Sequence, residues 1–180
     1  LRLVIQPTKK IMSGVEKLTN AVKSTLGASG KCVIYEDAMG RPVITKDGVT
    51  VAESVVLRDS VENIGATLVK EAARNTVREA GDGTTTATVL AESLLKEASS
   101  AEGSVRDIKL GIASCAKKVN KYLDDITIEV EGEMLRDVAA ISCNNDKELG
   151  AIISDAYEKV GKSGVVLMEE SETEQTYVEI

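Results

Sequence analysis

Along the first two thirds of the chain, apolar residues recur at helical spacing. Ile11, Val15, Leu18, Val22 and Leu26 share one face of a helix that starts after Pro7-Thr8 and is closed by Gly27. Two short β-branched runs follow, 31–36 and 43–45, separated by turn-forming residues 37–42, and this predicts a hairpin. Lys46-Asp47-Gly48 reads as a second tight turn. Over residues 60–80, Val61, Ile64, Leu68, Ala72 and Val77 predict a long amphipathic helix whose Gly65 and alanines permit close packing, with a stop at Gly81. A further helix is expected from 83–86 to about 99, turning Val89, Leu90 and Leu94 inward. Another should span 105–123 through Ile108, Ile112 and Val119.

The pattern changes near 126–132 to alternation and a charged turn. Shorter helices are expected over 134–142 and 146–160, then a strand pair, 165–168 and 176–180, joined by the acidic stretch 169–174. A domain boundary is placed at residue 127, giving domains 1–127 and 128–180. The fold class is mainly α with small β elements. There is no internal repeat.

With 180 residues, 43% of them hydrophobic, the chain can bury a core, and its net charge of -7 offers no footprint for a nucleic acid backbone or an anionic membrane. No apolar run approaches the roughly 20 residues that span a bilayer. No signal peptide is evident, and the chain is expected to be cytosolic. Histidine is absent, which removes His-based triads and imidazole metal sites. Trp and Phe are also absent and Tyr numbers four, so the core must be aliphatic and base-stacking platforms are missing. Cys32, Cys115 and Cys143 are odd in number and widely spaced, which argues for buried thiols in a reducing compartment. The start at Leu1 and the strand-like end at Ile180 are expected to be cuts in a longer protein.

The candidate chemistry lies in Gly81-Asp82-Gly83-Thr84-Thr85-Thr86, between two helical patterns. A helix N-terminus presents free N–H groups to an anion, glycines let the backbone approach a phosphate, and Asp82 offers the hard oxygen that Mg²⁺ prefers. Simple helix capping is the alternative reading of the same residues. Thr25-Leu26-Gly27 and Lys46-Asp47-Gly48 could bring further amides, a lysine and a carboxylate to the same nucleotide. Residues 156–163 satisfy a permissive Walker A pattern, but a helix precedes Gly161 and a strand is expected after it. That order is the reverse of a P-loop, and Gly161 reads as a helix C-cap with Lys162 near the C-terminal dipole.

The segments TLGASGK, ITKDGVTVA and AGDGTTTATVLA, with VKEAARN, AISCNND and VGKSGVV, resemble in order and spacing the group I chaperonins, the GroEL family, from about Ile11 onward. The resemblance implies an ATP-driven machine for protein folding and refolding. Its subunits form a ring-shaped homo-oligomer in the bacterial cytoplasm or an organellar matrix, and it binds unfolded polypeptides and a co-chaperonin through an apical domain. This chain would cover the first third: the N-terminal half of the equatorial ATP-binding domain up to 127, then the first part of an intermediate domain, cut before the apical domain.

Carried over by position, Thr25, Leu26 and Gly27 would contact phosphates, and Gly83, Thr84, Thr85 and Thr86 would wrap the β- and γ-phosphates. Asp47 and Gly48 would line the same pocket, Asp82 would hold Mg²⁺, and Thr25, Lys46 and Thr85 would surround K⁺. No catalytic residue is assigned, with Asp47 the candidate for a supporting role. The family carries Pro where this chain has Ala28. Its water-activating Asp belongs to a later part of the chain, so the isolated chain is expected to be inactive as an ATPase. The alternatives are a non-catalytic structural or interaction module and a helical domain with capping chemistry alone.

Overall fold

A computed structural model describes residues 8–27, 29–161, 163–169 and 176–179. Pro7, Ala28, Lys162, Ile180 and most of the acidic stretch after Glu169 lie outside the described residues. The chain forms two compact units, 1–112 and 113–180.

The first unit is built on α1 (Thr8–Lys23), a β-hairpin of β1 (Val33–Glu36) and β2 (Pro42–Thr45), α2 (Gly48–Ser54), α3 (Ser60–Ala80) and α4 (Thr84–Ser100). The strands pair antiparallel with Val33 opposite Thr45 and Glu36 opposite Pro42. Asp37 organises the turn between them, its carboxylate accepting from the amides of Met39 and Arg41 at 2.8 and 2.9 Å.

The core joins Val15, Leu18 and Val22 of α1, Val51 and Ala52 of α2, and Ala66 and Val69 of α3. Met12, Val33 and Leu57 pack against it. Helix α1 therefore buries the face its periodicity predicts, except that Leu26 lies beyond its end and is exposed.

Helix α3 has the expected bounds but packs through a different face. Its buried residues are Gly65, Ala66, Val69, Lys70 and Ala73, while Ile64 and Leu68 of the expected stripe are exposed. The cause is a backbone-to-backbone crossing with α1. A Cβ on Gly65 would lie 2.1 Å from the carbonyl oxygen of Ile11, and one on Gly14 would lie 1.8 Å from that of Glu62. Small residues bury here because large ones would hold the helices apart. Polar groups finish the crossing. Lys10 donates to Asp59, and Lys17 and Ser13 donate to Glu62 at 2.6 and 2.9 Å.

Helix α4 also departs from expectation: Thr84 and Thr88 are its buried residues, and Leu90 and Leu94 face outward. In α5 (Val105–Ile126), which runs across the division between the units, no residue is buried; Ile108 and Ile112 are half-covered and Val119 is exposed. No helix among the described residues is long and apolar enough to cross a membrane.

In the second unit α6 (Glu133–Ser142) packs on α7 (Lys147–Val160), again closely. A Cβ on Gly150 would come within 2.6 Å of the backbone of Ala140. Asn144 and Asn145, both left-handed, turn the chain between them, and the Asn145 amide closes α6 on the Ala140 carbonyl at 2.8 Å. The expected strand pair does not form a ladder in residues 165–168 and 176–179. These stretches instead line, with Leu149, Ile152 and Ile153 of α7, a cavity of about 160 Å³. A lone pair of short strands is marginal in water, and no further strand among the described residues extends it.

Two outcomes follow from the α1–α3 crossing. Gly65→Ala should lower stability by about 3 kcal/mol, because the new methyl meets a backbone oxygen that cannot rotate away; Ala66→Gly on the next residue should cost about 1 kcal/mol by helix propensity. Urea denaturation of the two variants checks the ordering.

The second outcome concerns Asp59, the N-cap of α3. The Lys10 ammonium, helped by the amides of Val61 and Glu62, holds its carboxyl at about 2. A depressed folded-state value stabilises above the unfolded carboxyl range and is lost as pH falls through the folded one. The urea midpoint should therefore fall between about pH 4 and pH 2, and fall less steeply in Asp59→Asn, which keeps a capping oxygen.

Candidate functional site

The reversal from α3 to α4 is made by two left-handed glycines. Gly81 closes α3 with its N–H on the Val77 carbonyl at 2.8 Å, and Gly83, at φ 86°, occupies the N-cap of α4. Between them the exposed Asp82 turns its carboxylate to the Gly83 amide. Helices α2, α3 and α7 each have an aspartate cap, Asp47, Asp59 and Asp146, bonded to first-turn amides. Helix α4, like α6, has no side-chain cap bond, so no side chain of its cap satisfies its first-turn amides. Neither Asp82 nor a threonine side chain caps α4 in the way Asp47, Asp59 and Asp146 cap their helices.

Two other loops reach the same place. After α1 the Thr25 hydroxyl donates to the Val22 carbonyl at 2.8 Å and stands 3.3 Å from the Thr85 hydroxyl. Gly30, the second glycine of the TLGASGK segment, seats this loop: a Cβ there would lie 2.2 Å from the Thr25 main-chain oxygen. Leu26 and Gly27 are exposed beside it, Gly27 in the left-handed region at φ 73°.

From the other side, Gly48 is buried against α4, where a Cβ would lie 2.2 Å from the Thr85 hydroxyl oxygen and 3.3 Å from that of Thr84. Thr25, Gly48, Thr84 and Thr85 are thereby brought together from three separate stretches of chain. Lys46 and Thr86 are exposed at the end of β2 and the start of α4.

Lys46-Asp47-Gly48 is not the free turn the sequence suggested. Asp47 is the N-cap of α2, a helix absent from the sequence reading because Val49, Thr50 and Val51 are β-branched and disfavour helix. Its carboxylate accepts from the Thr50 amide at 2.8 Å and from the Thr50 hydroxyl. Burial opposes ionisation of Asp47, but these Thr50 bonds and the Val49 amide outweigh it and hold the carboxyl below its ordinary range. Thr50 is a residue that sequence reasoning missed; its position three after an Asp-Gly cap was the available signal.

Among the described residues no group of three or more Asp, Glu or Cys is placed to hold a metal ion. Cys32 and Cys115 are exposed and Cys143 is half-buried, against the expected burial of all three. Cys115 sits on α5, none of whose residues is buried, and Cys32 enters the hairpin at its rim. In the Walker-like stretch the helix precedes the glycine as expected, and Gly161 closes α7 with its N–H on the Tyr157 carbonyl at 2.9 Å, but the strand expected after it does not form among the described residues.

Solved chaperonin structures are similar to this chain in fold. Chaperonin gp146 from the bacteriophage EL 2 (Pseudomonas aeruginosa), crystallised in the presence of ATP-BeFx, is 29% identical with a TM-score of 0.76, over 88% of this chain and 28% of that one. A second crystal form of gp146 gives 0.77 over 89% and 29%. A group III chaperonin in the open state is 28% identical with a TM-score of 0.72, over 86% of this chain and 32% of its own. The chain thus spans less than a third of the length of each of these chaperonins.

Over residues 18–179 the sequence also matches the profile of the TCP-1/cpn60 chaperonin family. The match takes in all three converging loops, and the mainly helical chain with its small hairpin belongs to that family.

Proposed function

We propose that this chain supplies the phosphate and Mg²⁺ half of the ATP site of a group I chaperonin, a ring-forming ATPase that assists the folding of other polypeptides. The observation that carries this reading is the convergence of Thr25 and Gly48 on Thr85, at a helix N-terminus with no side-chain cap. The gp146 relative, crystallised in the presence of ATP-BeFx, supports it. The motif resemblance favours group I over the other groups. In this reading residues 1–127 are the first half of an equatorial domain and 128–180 the start of an intermediate domain.

The residues fit a nucleotide phosphate. With no side chain at Gly48, the Thr85 hydroxyl can lie against its backbone, and the first-turn amides of Thr84, Thr85 and Thr86 have no side-chain cap. Thr25, Leu26 and Gly27 bring the opposing backbone, with Lys46 and Asp47 at the rim. Asp82 is exposed and needs only to leave the Gly83 amide to meet a divalent cation. Bound Mg²⁺ supplies charge neutralisation across the phosphate oxygens. Thr25, Thr85 and Lys46 are the candidates for K⁺. The ring, unfolded polypeptides and a co-chaperonin are proposed as partners of the whole protein.

Titration calorimetry with Mg·ATP tests the site. Gly48→Ala should weaken binding about tenfold, because its methyl displaces the Thr85 hydroxyl from Thr25; unchanged affinity would remove the convergence as the basis of the site.

In a full-length protein carrying this sequence, Asp82→Ala should lower steady-state phosphate release about a hundredfold or more. The isolated 180-residue chain should release none above contaminant controls. A full-length Asp82→Ala protein that hydrolyses ATP at the wild-type rate would show the Mg²⁺ assignment to be wrong.

A further inference from the structure

Helix α2 is seven residues long, rich in β-branched residues, and carries at its first position the glycine that presses on Thr85. Such a helix does not hold itself in place. Its N-terminal end is capped by Asp47, but that bond lies within the segment and fixes nothing relative to α3 or α4.

Val51 and Ala52 hold its middle in the core, and a polar contact ties down the other end. Lys70 of α3 is buried among the small residues of that helix, only 9% exposed, and its Nζ donates to the main-chain carbonyl of Glu53 at 3.0 Å. That carbonyl belongs to the last turn of α2, where no intrahelical N–H is left to bond it and the helix dipole is negative. One turn further along α3, Arg74 grips the side chain of the same residue with two bonds, 2.6 and 2.7 Å to the two carboxylate oxygens of Glu53. Main chain and side chain of Glu53 are thus both tied to α3.

A lysine with so little exposure is uncommon in a helix interior, and burial works against its charge, lowering its value from the ordinary lysine range. Other buried positions of α3 take Gly, Ala or Val. The ion pairs at the opposite edge, Lys10 with Asp59 and Lys17 with Glu62, join α3 to α1 and do not involve α2. Arg74 is half-exposed, so its pair with Glu53 is the weaker part of the clamp taken alone.

We infer that Lys70, seconded by Arg74, is a positioning residue for the phosphate site: it clamps the C-terminal end of α2 so that this helix, as a rigid strut, holds Gly48 against Thr85. The reach is consistent, since seven helical residues span roughly 10 Å, too short a rod to bend appreciably. The inference rests on the nucleotide reading above for its consequence, but the clamp itself can be measured without nucleotide.

The test compares Lys70→Met, which keeps the apolar stem and loses the donor, with Lys70→Arg, which keeps a donor, and with Val69→Ala, a core truncation one residue away. Amide hydrogen exchange without nucleotide should show Val51 and Ala52 exchanging about tenfold faster in Lys70→Met, relative to Leu18 and Val22. In Val69→Ala all four should accelerate together. Calorimetry with Mg·ATP well below the melting transition should show Lys70→Met weakened about tenfold, Lys70→Arg at least partly restored, and Val69→Ala near wild type.

If Lys70→Met and Val69→Ala change exchange and affinity in the same proportion as their loss of stability, Lys70 is an ordinary structural residue and the inference is overturned. If wild type itself binds no Mg·ATP, the nucleotide reading fails, and selective exchange at Val51 and Ala52 alone then decides whether the clamp exists.

Discussion

The first unit depends on one contact, the crossing of α1 and α3 at van der Waals distance between backbones. Gly14 and Gly65 stand on the two sides of that crossing, each facing a carbonyl oxygen of the other helix. Because the axes come so close, Val15, Leu18 and Val22 can fill the groove beside Ala66 and Val69 without large side chains on α3, and α2 closes the remaining side with Val51 and Ala52. The aliphatic composition follows from this geometry. A core this thin has little room for a Phe or Trp ring.

The same crossing sets where the site can form. Thr25 follows directly on the end of α1, and Thr84 and Thr85 follow α3 after the Gly81 to Gly83 reversal, so fixing the helices fixes the two threonine hydroxyls. Gly48 enters through α2, tied to α3 by Lys70 and Arg74. Each loop is therefore short and anchored at a helix end, which favours a preformed cradle over one assembled on binding.

Much of this was legible in the sequence, in particular the helix bounds, the hairpin, the glycine punctuation and the three loops. The reasons for the failures are physical. Periodicity of large apolar residues identified the wrong face of α3, because burial there is carried by Gly65, Ala66 and Ala73, which a hydrophobicity pattern barely registers. Helix α2 was hidden because its stability comes from the Asp47 cap, from core packing of Val51 and Ala52, and from Lys70, 17 residues beyond Glu53, against the local preference of Val49 to Val51. The alternation at 165–168 read as strand, but pairing needs a partner in register, and alternation does not specify one. Odd number and wide spacing argue against a disulfide frame but do not set depth; Cys115 rides on a helix with no buried residue.

The pair of threonine hydroxyls has a direction. Thr25 has a single hydroxyl proton and gives it to the Val22 carbonyl. In its 3.3 Å contact with Thr85 it can then only accept, so the Thr85 proton points at Thr25. Both oxygens are left with lone pairs and no proton to turn toward the cradle. Such a pair offers acceptors and no donor. Proton count thus separates the two sides of the loop cluster: uncapped N–H groups at the start of α4, and lone pairs on the hydroxyl pair.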